Sequence, residues 1–369
     1  MENEQRDLGS GRVLSIDALR GFDMFWIIGG GTLFESLVEV WDHPVTRTIQ
    51  TQLTHVTWEG FRFEDLIFPL FVFVVGVVLP FSISRRLERG ESLGGIYRHV
   101  IQRTVGLLLL GLILNGLLHF DWAQMRWPGV LQRIALCYFF AAVFTIHMQW
   151  RTQAVAVPAM LLLYWGVTML VPVPGHGSGD LTAQGCLSSY IDQHLIPGFL
   201  YYKYGDNEGL LSTLPAVCTA LLGVLAGHWL RSNRSGSRKA AGLALAGVAC
   251  LVAGLLWGQF FPIIKILWTS SYVLVAGGLS LLLLALFYWV IDVKGYRRWA
   301  LFFIVIGMNA ITIYFLQNVI DFERIAEFFL HGIAGRVGLF KPLVLLSGAL
   351  AARWLFLWFL YRHKIFFKV

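Results

Sequence analysis

Apolar residues run through this chain in long blocks, not at the alternating period of strands or the one-faced period of surface helices. Ten blocks lie near 15–37, 66–84, 100–119, 129–147, 153–173, 210–230, 240–260, 269–291, 299–319 and 342–361. Each is close to the roughly 20 residues that one helical bilayer crossing needs. In lipid a spanning segment must satisfy its own backbone, and blocks this long do so as helices. The pattern predicts an all-α, polytopic integral membrane helix bundle with about ten transmembrane helices. Residues 1–14 read as a polar tail, 15–361 as the membrane domain and 362–369 as a basic tail. Glycine patches at 29–31 and 277–278 predict close helix packing.

Composition agrees with this reading. The chain has 369 residues, 57% of them hydrophobic and 14% charged, and a mean hydropathy of +0.66. Soluble domains carry about 25% charged residues. Three of the four cysteines, Cys137, Cys218 and Cys250, fall inside apolar blocks, and Cys186 stands alone in a loop, so no disulfide framework is implied. The first block contains Asp17, Arg20 and Asp23, which the apolar core of a cleavable signal would not.

Charge then sets an orientation. Of the 29 Lys and Arg, 18 fall in segments on one side of the predicted membrane and 8 on the other, with Arg20, Arg133 and Arg353 inside spans. By the positive-inside rule both termini are cytoplasmic. The net charge of +7 is spread over the loops, which points to topology and not to nucleic acid. The three long connections, 38–65, 174–209 and 320–341, all fall outside; long loops in compact proteins tend to carry function.

The densest chemistry is at 55–80, HVTWEGFRFEDLIFPLFVFVVGVVLP. His55, Trp58, Glu59, Arg62, Glu64 and Asp65 precede an apolar run, placing titratable groups at the mouth of a membrane helix. Histidine exchanges protons near neutral pH. Glu64 and Asp65 also suit a helix N-terminus, and Trp58 a headgroup layer, so this stretch reads equally as an interfacial cap. Asp65 is a candidate to orient His55.

The pattern H-x-x-W-x-G-x-x-x-x-D-L-I-F-P-x-F-x-F resembles the signature of the heparan-α-glucosaminide N-acetyltransferase family and its bacterial relatives. SIDALRGFDMFW (15–26), PGVLQRIAL (128–136), DNEGLLSTLPA (206–216), LLGVLAG (221–227), FPIIKILWTSSY (261–272), DVKG (292–295) and GMNAITIY (307–314) follow the family's order. The resemblance implies that His55 is the catalytic histidine, that acetyl-CoA is the donor with no metal, and that a glucosamine-type amine is the acceptor. It implies a bacterial inner-membrane enzyme meeting an amino sugar or envelope glycan, with the bilayer as its other partner. A homodimer is compatible with it. Where the family has a polar asparagine after the Arg-Gly of its first span, this chain has the glycine run 29–31.

Within that frame, the donor's phosphates would meet Arg20, Arg85, Arg86 or Arg103, since a guanidinium offers paired donors to phosphate. Gln132 and Arg133 would line the acyl channel or clamp two helices. Trp58, Asp206, Glu208 and Asn309 are candidate acceptor-binding residues; Asp206 and Glu208 equally suit a helix cap, and Asn309 an interhelical hydrogen bond. His55 could deprotonate the acceptor amine or carry the acetyl group itself. The rival reading is a transporter or flippase for an amino sugar, which would use the same intramembrane charges without acyl transfer.

Overall fold

The structure, a computed structural model, describes residues 12–367. Most of the predicted tail 1–14 and the last two residues of 362–369 lie outside the described residues. Sixteen α-helices follow one another among the described residues, with short π-helical and 3-10 turns between some of them and no named strand. α1 (Leu14–Phe25) runs through a π-helical turn at Trp26–Gly30 into α2 (Gly31–Glu35), followed by α3 (Leu37–Val40) and α4 (Pro44–Gln52). α5 (Glu64–Glu88), α6 (Leu93–Leu114), α7 (Val130–His147) and α8 (Trp150–Leu170) form the first half of the bundle. α9 (Leu187–Leu195) sits in the long loop before α10 (Thr213–Arg231), α11 (Gly236–Trp257) and α12 (Ser270–Phe287). α13 (Ala300–Met308), α14 (Ala310–Leu316), α15 (Phe322–Ala334) and α16 (Lys341–Arg362) close the chain.

Eight described helices are long and apolar enough to cross a bilayer: α5–α8, α10, α11, α12 with its π-helical extension to Val293, and α16 with the short turn before it. The other two apolar blocks, 15–37 and 299–319, form interrupted helices, which hydropathy could not show. In the first, Ile28 and Gly29 leave helical geometry, Gly29 at φ 121°. In the second, Asn309 breaks the helix at φ −128°, ψ 35°. Broken helices at membrane depth persist only where the freed backbone is buried in protein or lines a cavity.

The two broken helices pack directly on each other. A Cβ at Gly21 would stand 1.7 Å from the Phe303 carbonyl oxygen, and one at Gly307 would stand 2.0 Å from that of Asp17. Small residues here let the backbones touch. Across the contact the Arg20 Nε donates to the Gly307 carbonyl at 2.6 Å, while its other nitrogen reaches Asp17 at 2.7 Å. Asp292 accepts from the first backbone N–H groups of α1, Leu14 at 3.2 Å and Ser15 at 3.0 Å, satisfying donors that a helix start leaves orphaned. α5 and α10 are the most buried of the long helices and form the centre of the bundle.

This crossing generates a test. Gly21→Val or Gly307→Val should abolish monodisperse protein on size exclusion in detergent. Gly166→Ala, which meets open space, should elute as wild type. Normal elution of both valine variants would show that the crossing is not tight.

Candidate active site

Gly60 starts the site. Its φ of 122° favours glycine, and its N–H donates to the Ile263 carbonyl at 2.9 Å. The adjoining bridge between Glu59 and Ile264 binds the 55–63 loop to the loop before α12. Lys265 is thereby carried to His55 from 210 positions away.

Asp65 lies at the start of α5 and is fully buried. Its Oδ1 is 3.0 Å from His55 Nδ1 and 3.4 Å from Lys265 Nζ. Its Oδ2 accepts the Arg62 N–H at 3.0 Å and the Val56 N–H at 3.4 Å. The Asp65 backbone carbonyl accepts the Tyr272 hydroxyl at 2.7 Å. Lys265 Nζ stands 3.0 Å from His55 Nδ1 and 3.3 Å from Nε2. A carboxylate only accepts, so the contact with Asp65 places the ring proton on Nδ1 and leaves Nε2 as the acceptor, with the Lys265 ammonium 3.3 Å away. The His55 side chain is 53% exposed and the Lys265 side chain 16%. Burial pushes the Lys265 ammonium below its ordinary pKa, and the charges of Asp65 and Glu64 oppose that shift.

A cavity of about 290 Å³ opens beside these groups. Its mouth holds His55, Glu64, Lys265, Arg126, Glu208 and Tyr201; its depth is apolar, with Ile27, Ile67, Phe71, Ile134 and Ile311. A polar mouth over an apolar shaft suits an acyl thioester on a flexible arm meeting a polar acceptor.

A family model described as heparan-alpha-glucosaminide N-acetyltransferase, catalytic, matches residues 12–255. The chain belongs to this family. It is similar to the heparan-alpha-glucosaminide N-acetyltransferase of Mus musculus, 26% identical over 433 residues, covering 99% of this chain and 62% of the relative. The Homo sapiens protein of the same name is 28% identical over 421 residues, covering 97% and 60%. The chain thus spans about three fifths of the length of these curated relatives.

The predicted site residues of this family member divide into separate groups. His55 and Asp65 are in contact. Trp58 does not line the cavity: it borders a neighbouring pocket, its indole N–H donating to the Leu181 carbonyl at 2.9 Å and its ring edge-on to Tyr202. Glu208 lines the cavity, but Asp206 is committed: it accepts from Arg126 at 2.6 and 2.8 Å and from the Tyr201 N–H at 3.0 Å. Arg126 also binds Glu208. Asn309 is elsewhere, clasped by the Ile365 carbonyl at 3.1 Å and the Phe367 N–H at 3.3 Å, because the break it makes faces the C-terminal segment.

The six predicted donor-binding residues also separate. Arg133, expected near the channel, is buried at the His55 end, bound to the Gly209 carbonyl at 2.9 Å and to Ser212, with Trp268 beneath its guanidinium. Gln132 donates to the Trp127 carbonyl at 3.2 Å. Arg20 and Arg103 lie deeper, near enough to feel each other's charge, with Arg103 over the Tyr138 ring. Arg86 pairs with Glu91 at 2.9 Å at the far end, where Arg85 is exposed.

Sequence reasoning missed Lys265, Arg126 and Glu64 as site residues. For Lys265 the available signal was a lone cation in the otherwise apolar FPIIKILW.

The Arg126 cluster has a defined pH response. Burial works against both partners' charged forms, yet the Asp206–Arg126 hydrogen bonds and charges outweigh it, raising the Arg126 pKa and lowering that of Asp206. Asp192, which accepts the Asp206 and Leu210 N–H groups, goes the other way: burial pushes it up to about 6. A depressed carboxylate stabilises the fold above its unfolded pKa of about 4 and loses that contribution as pH falls through its folded value. Arg126→Ala should therefore lower stability at pH 7 by about 3–5 kcal/mol, as for a broken buried pair. The deficit should shrink below pH of about 4. Asp192 titrates in both proteins and largely cancels in the difference. Chemical denaturation across pH checks this, and a deficit independent of pH would contradict it.

Proposed function

We propose that the chain is a transmembrane acetyltransferase that moves an acetyl group from acetyl-CoA to the amine of a glucosamine-type sugar or glycan. The observation that carries this reading is a half-exposed imidazole held at Nδ1 by a buried carboxylate, with its Nε2 unprotonated, at the mouth of an apolar shaft. Membership of the family supplies the acyl chemistry, since the mouse and human relatives are named as N-acetyltransferases. A transporter would have no need of the oriented imidazole.

In this reading His55 Nε2 takes the proton of the acceptor amine as that amine attacks, or carries the acetyl group between donor and acceptor. Asp65 holds the tautomer that either role requires. Glu208 and Tyr201 meet the amino sugar, a carboxylate suiting its ammonium form and an aromatic face suiting its ring. The donor enters from the far end. An extended pantetheine arm is about as long as four residues, roughly 14 Å. Arg103 lies eleven residues before Leu114 at the His55 end of α6, roughly 16 Å along the axis at 1.5 Å per residue. Arg86 lies 22 residues past Glu64 on α5, roughly 33 Å away. The donor's phosphates therefore match Arg20 and Arg103, with Arg85 and Arg86 as an entrance charge.

The two broken helices complete ten crossings in an inner membrane, both termini are cytoplasmic, and His55 opens outward. The inner connections are short and basic, which is where the orientation rule is strongest.

Two measurements test this. Purified protein incubated with isotopically labelled acetyl-CoA and amino-sugar acceptors should give labelled N-acetyl product by mass spectrometry. His55→Ala should reduce the rate at least about 100-fold, the lower range for a lost acid–base group, and near-normal turnover would remove His55 from the chemistry. For sidedness, the native cysteines are first replaced. Cysteines at exposed Thr51 and Ser178 should then react with an impermeant thiol reagent on intact cells, and one at exposed Ser235 only after permeabilisation. The reverse pattern would place His55 on the cytoplasmic side and end the proposal of delivery across the membrane.

A further inference from the structure

We infer that Lys265 is a further catalytic residue, whose ammonium binds the oxygen of the donor's thioester carbonyl and holds the oxyanion formed when a nitrogen attacks. This rests on the transferase reading above. It starts from a conflict at His55 Nδ1, which has two neighbours at 3.0 Å, Asp65 Oδ1 and Lys265 Nζ. One ring nitrogen cannot donate to the first and accept from the second. With the proton on Nδ1 for Asp65, the lysine has no lone pair there to bind. Its protons go to Asp65 Oδ1, 3.4 Å away, and toward the cavity that it lines. An ammonium has three donors and no acceptor; one faces Asp65, one lies within reach of the His55 Nε2 lone pair at 3.3 Å, and the third is free for a ligand in the cavity.

That hydrogen is where the reaction needs it, and the one at Nε2 joins it once Nε2 takes a proton or the acyl group and has no lone pair left to accept. Nζ is 3.3 Å from Nε2. A carbonyl carbon poised for attack lies about 3–3.5 Å from its nucleophile, and its oxygen one bond beyond the carbon, roughly 1.2 Å. The oxygen of a thioester presented to Nε2, or to an amine seated against Nε2, falls within reach of Nζ. The other cation lining the cavity, Arg126, is committed to Asp206 and Glu208. Arg62, nearby, donates to the Thr54 hydroxyl at 2.9 Å and the His55 carbonyl at 3.1 Å. Low exposure strengthens the lysine's effect, since a fixed charge in a water-poor site stabilises developing charge more than one in water. Asp65 and Glu64 offset the cost of holding the ammonium there.

The step balances. The nitrogen lone pair forms the C–N bond, and the carbonyl π pair moves onto oxygen, which accepts hydrogen bonds from Lys265. On collapse the pair returns, the C–S bond breaks, and sulfur leaves with its electrons as the CoA thiolate. The proton shed by the amine, held on His55 Nε2, passes to the thiolate. Products are the N-acetyl amine and the CoA thiol; Lys265 ends as it began. If His55 first carries the acetyl group, Nε2 displaces the thiolate and the amine then displaces Nε2; each attack forms its own oxyanion on the same carbonyl oxygen facing Lys265, and the freed Nε2 takes the amine's proton and passes it to the thiolate.

The test uses Lys265→Met, Lys265→Arg and Lys265→Cys in a background without the four native cysteines, which retain no role in this step. Labelled acetyl transfer, acetyl-CoA binding and melting temperature are measured on each. Lys265→Met and unmodified Lys265→Cys should lose about 10²–10³ in kcat, the range for one lost oxyanion donor, with acetyl-CoA affinity close to wild type and a melting temperature lowered by loss of the Asp65 contact but still well above the assay temperature. Lys265→Arg should keep part of the rate. Aminoethylation of Lys265→Cys with 2-bromoethylamine restores an ammonium at nearly the same reach and should recover kcat. Unchanged kcat in Lys265→Met would overturn the inference. So would a loss confined to affinity or to melting temperature, or a failure of aminoethylation to recover rate. Absence of transfer by the wild-type protein would instead fail the transferase reading, before any lysine variant is made.

Discussion

A buried carboxylate must find partners, and this structure is arranged around one that does. Asp65 has no exposed surface, and an unpaired charge in that position would cost several kcal/mol. Its partners come from three parts of the chain: His55, Val56 and Arg62 from the loop before α5, Lys265 from the loop before α12, and Tyr272 from α12 itself. Satisfying Asp65 therefore does three things together. It closes the first turn of α5, it docks two loops, and it fixes which nitrogen of His55 faces the cavity. Stability and chemistry draw on the same contacts here, so the orientation of His55 is as rigid as the fold around it.

The rest of the bundle supplies depth. The His55 end is polar and closed by the Arg126 cluster, while the shaft beneath it is apolar. The crossing of α1 with α13, held by Gly21, Gly307 and Arg20, carries an arginine to a level that a continuous apolar helix would exclude. Its charge is matched by Asp17, which also binds Arg12 at 2.6 Å. Such a compensated cation suits the phosphates of the proposed donor.

Much of this was legible in the sequence and some was not, for physical reasons. Block hydropathy reports on burial in lipid, so eight spanning helices could be read directly. It carries no information on backbone dihedrals, so the breaks at Gly29 and Asn309 did not show. His55 and Asp65 are ten positions apart, and a short loop before a helix can bring such a pair together. Asp65 Oδ2 accepts the Arg62 N–H from the loop before α5, whose N-terminus carries no side-chain cap. Lys265 was invisible because its approach depends on the bridge between Glu59 and Ile264, a long-range pairing with no periodic signal. Asp206 read as a cap or a sugar ligand; the structure gives it to Arg126.

The central claim is that one protein-bound donor reaches His55 through the bundle while its nucleotide stays at the opposite end. Cryo-electron microscopy of the protein with a non-hydrolysable acetyl-CoA analogue tests it most directly. The account predicts the acyl carbonyl carbon within about 3.5 Å of His55 Nε2, its oxygen toward Lys265, and the phosphates at the level of Arg20 and Arg103. A nucleotide bound on the His55 side, or an acyl group away from Nε2, would contradict it.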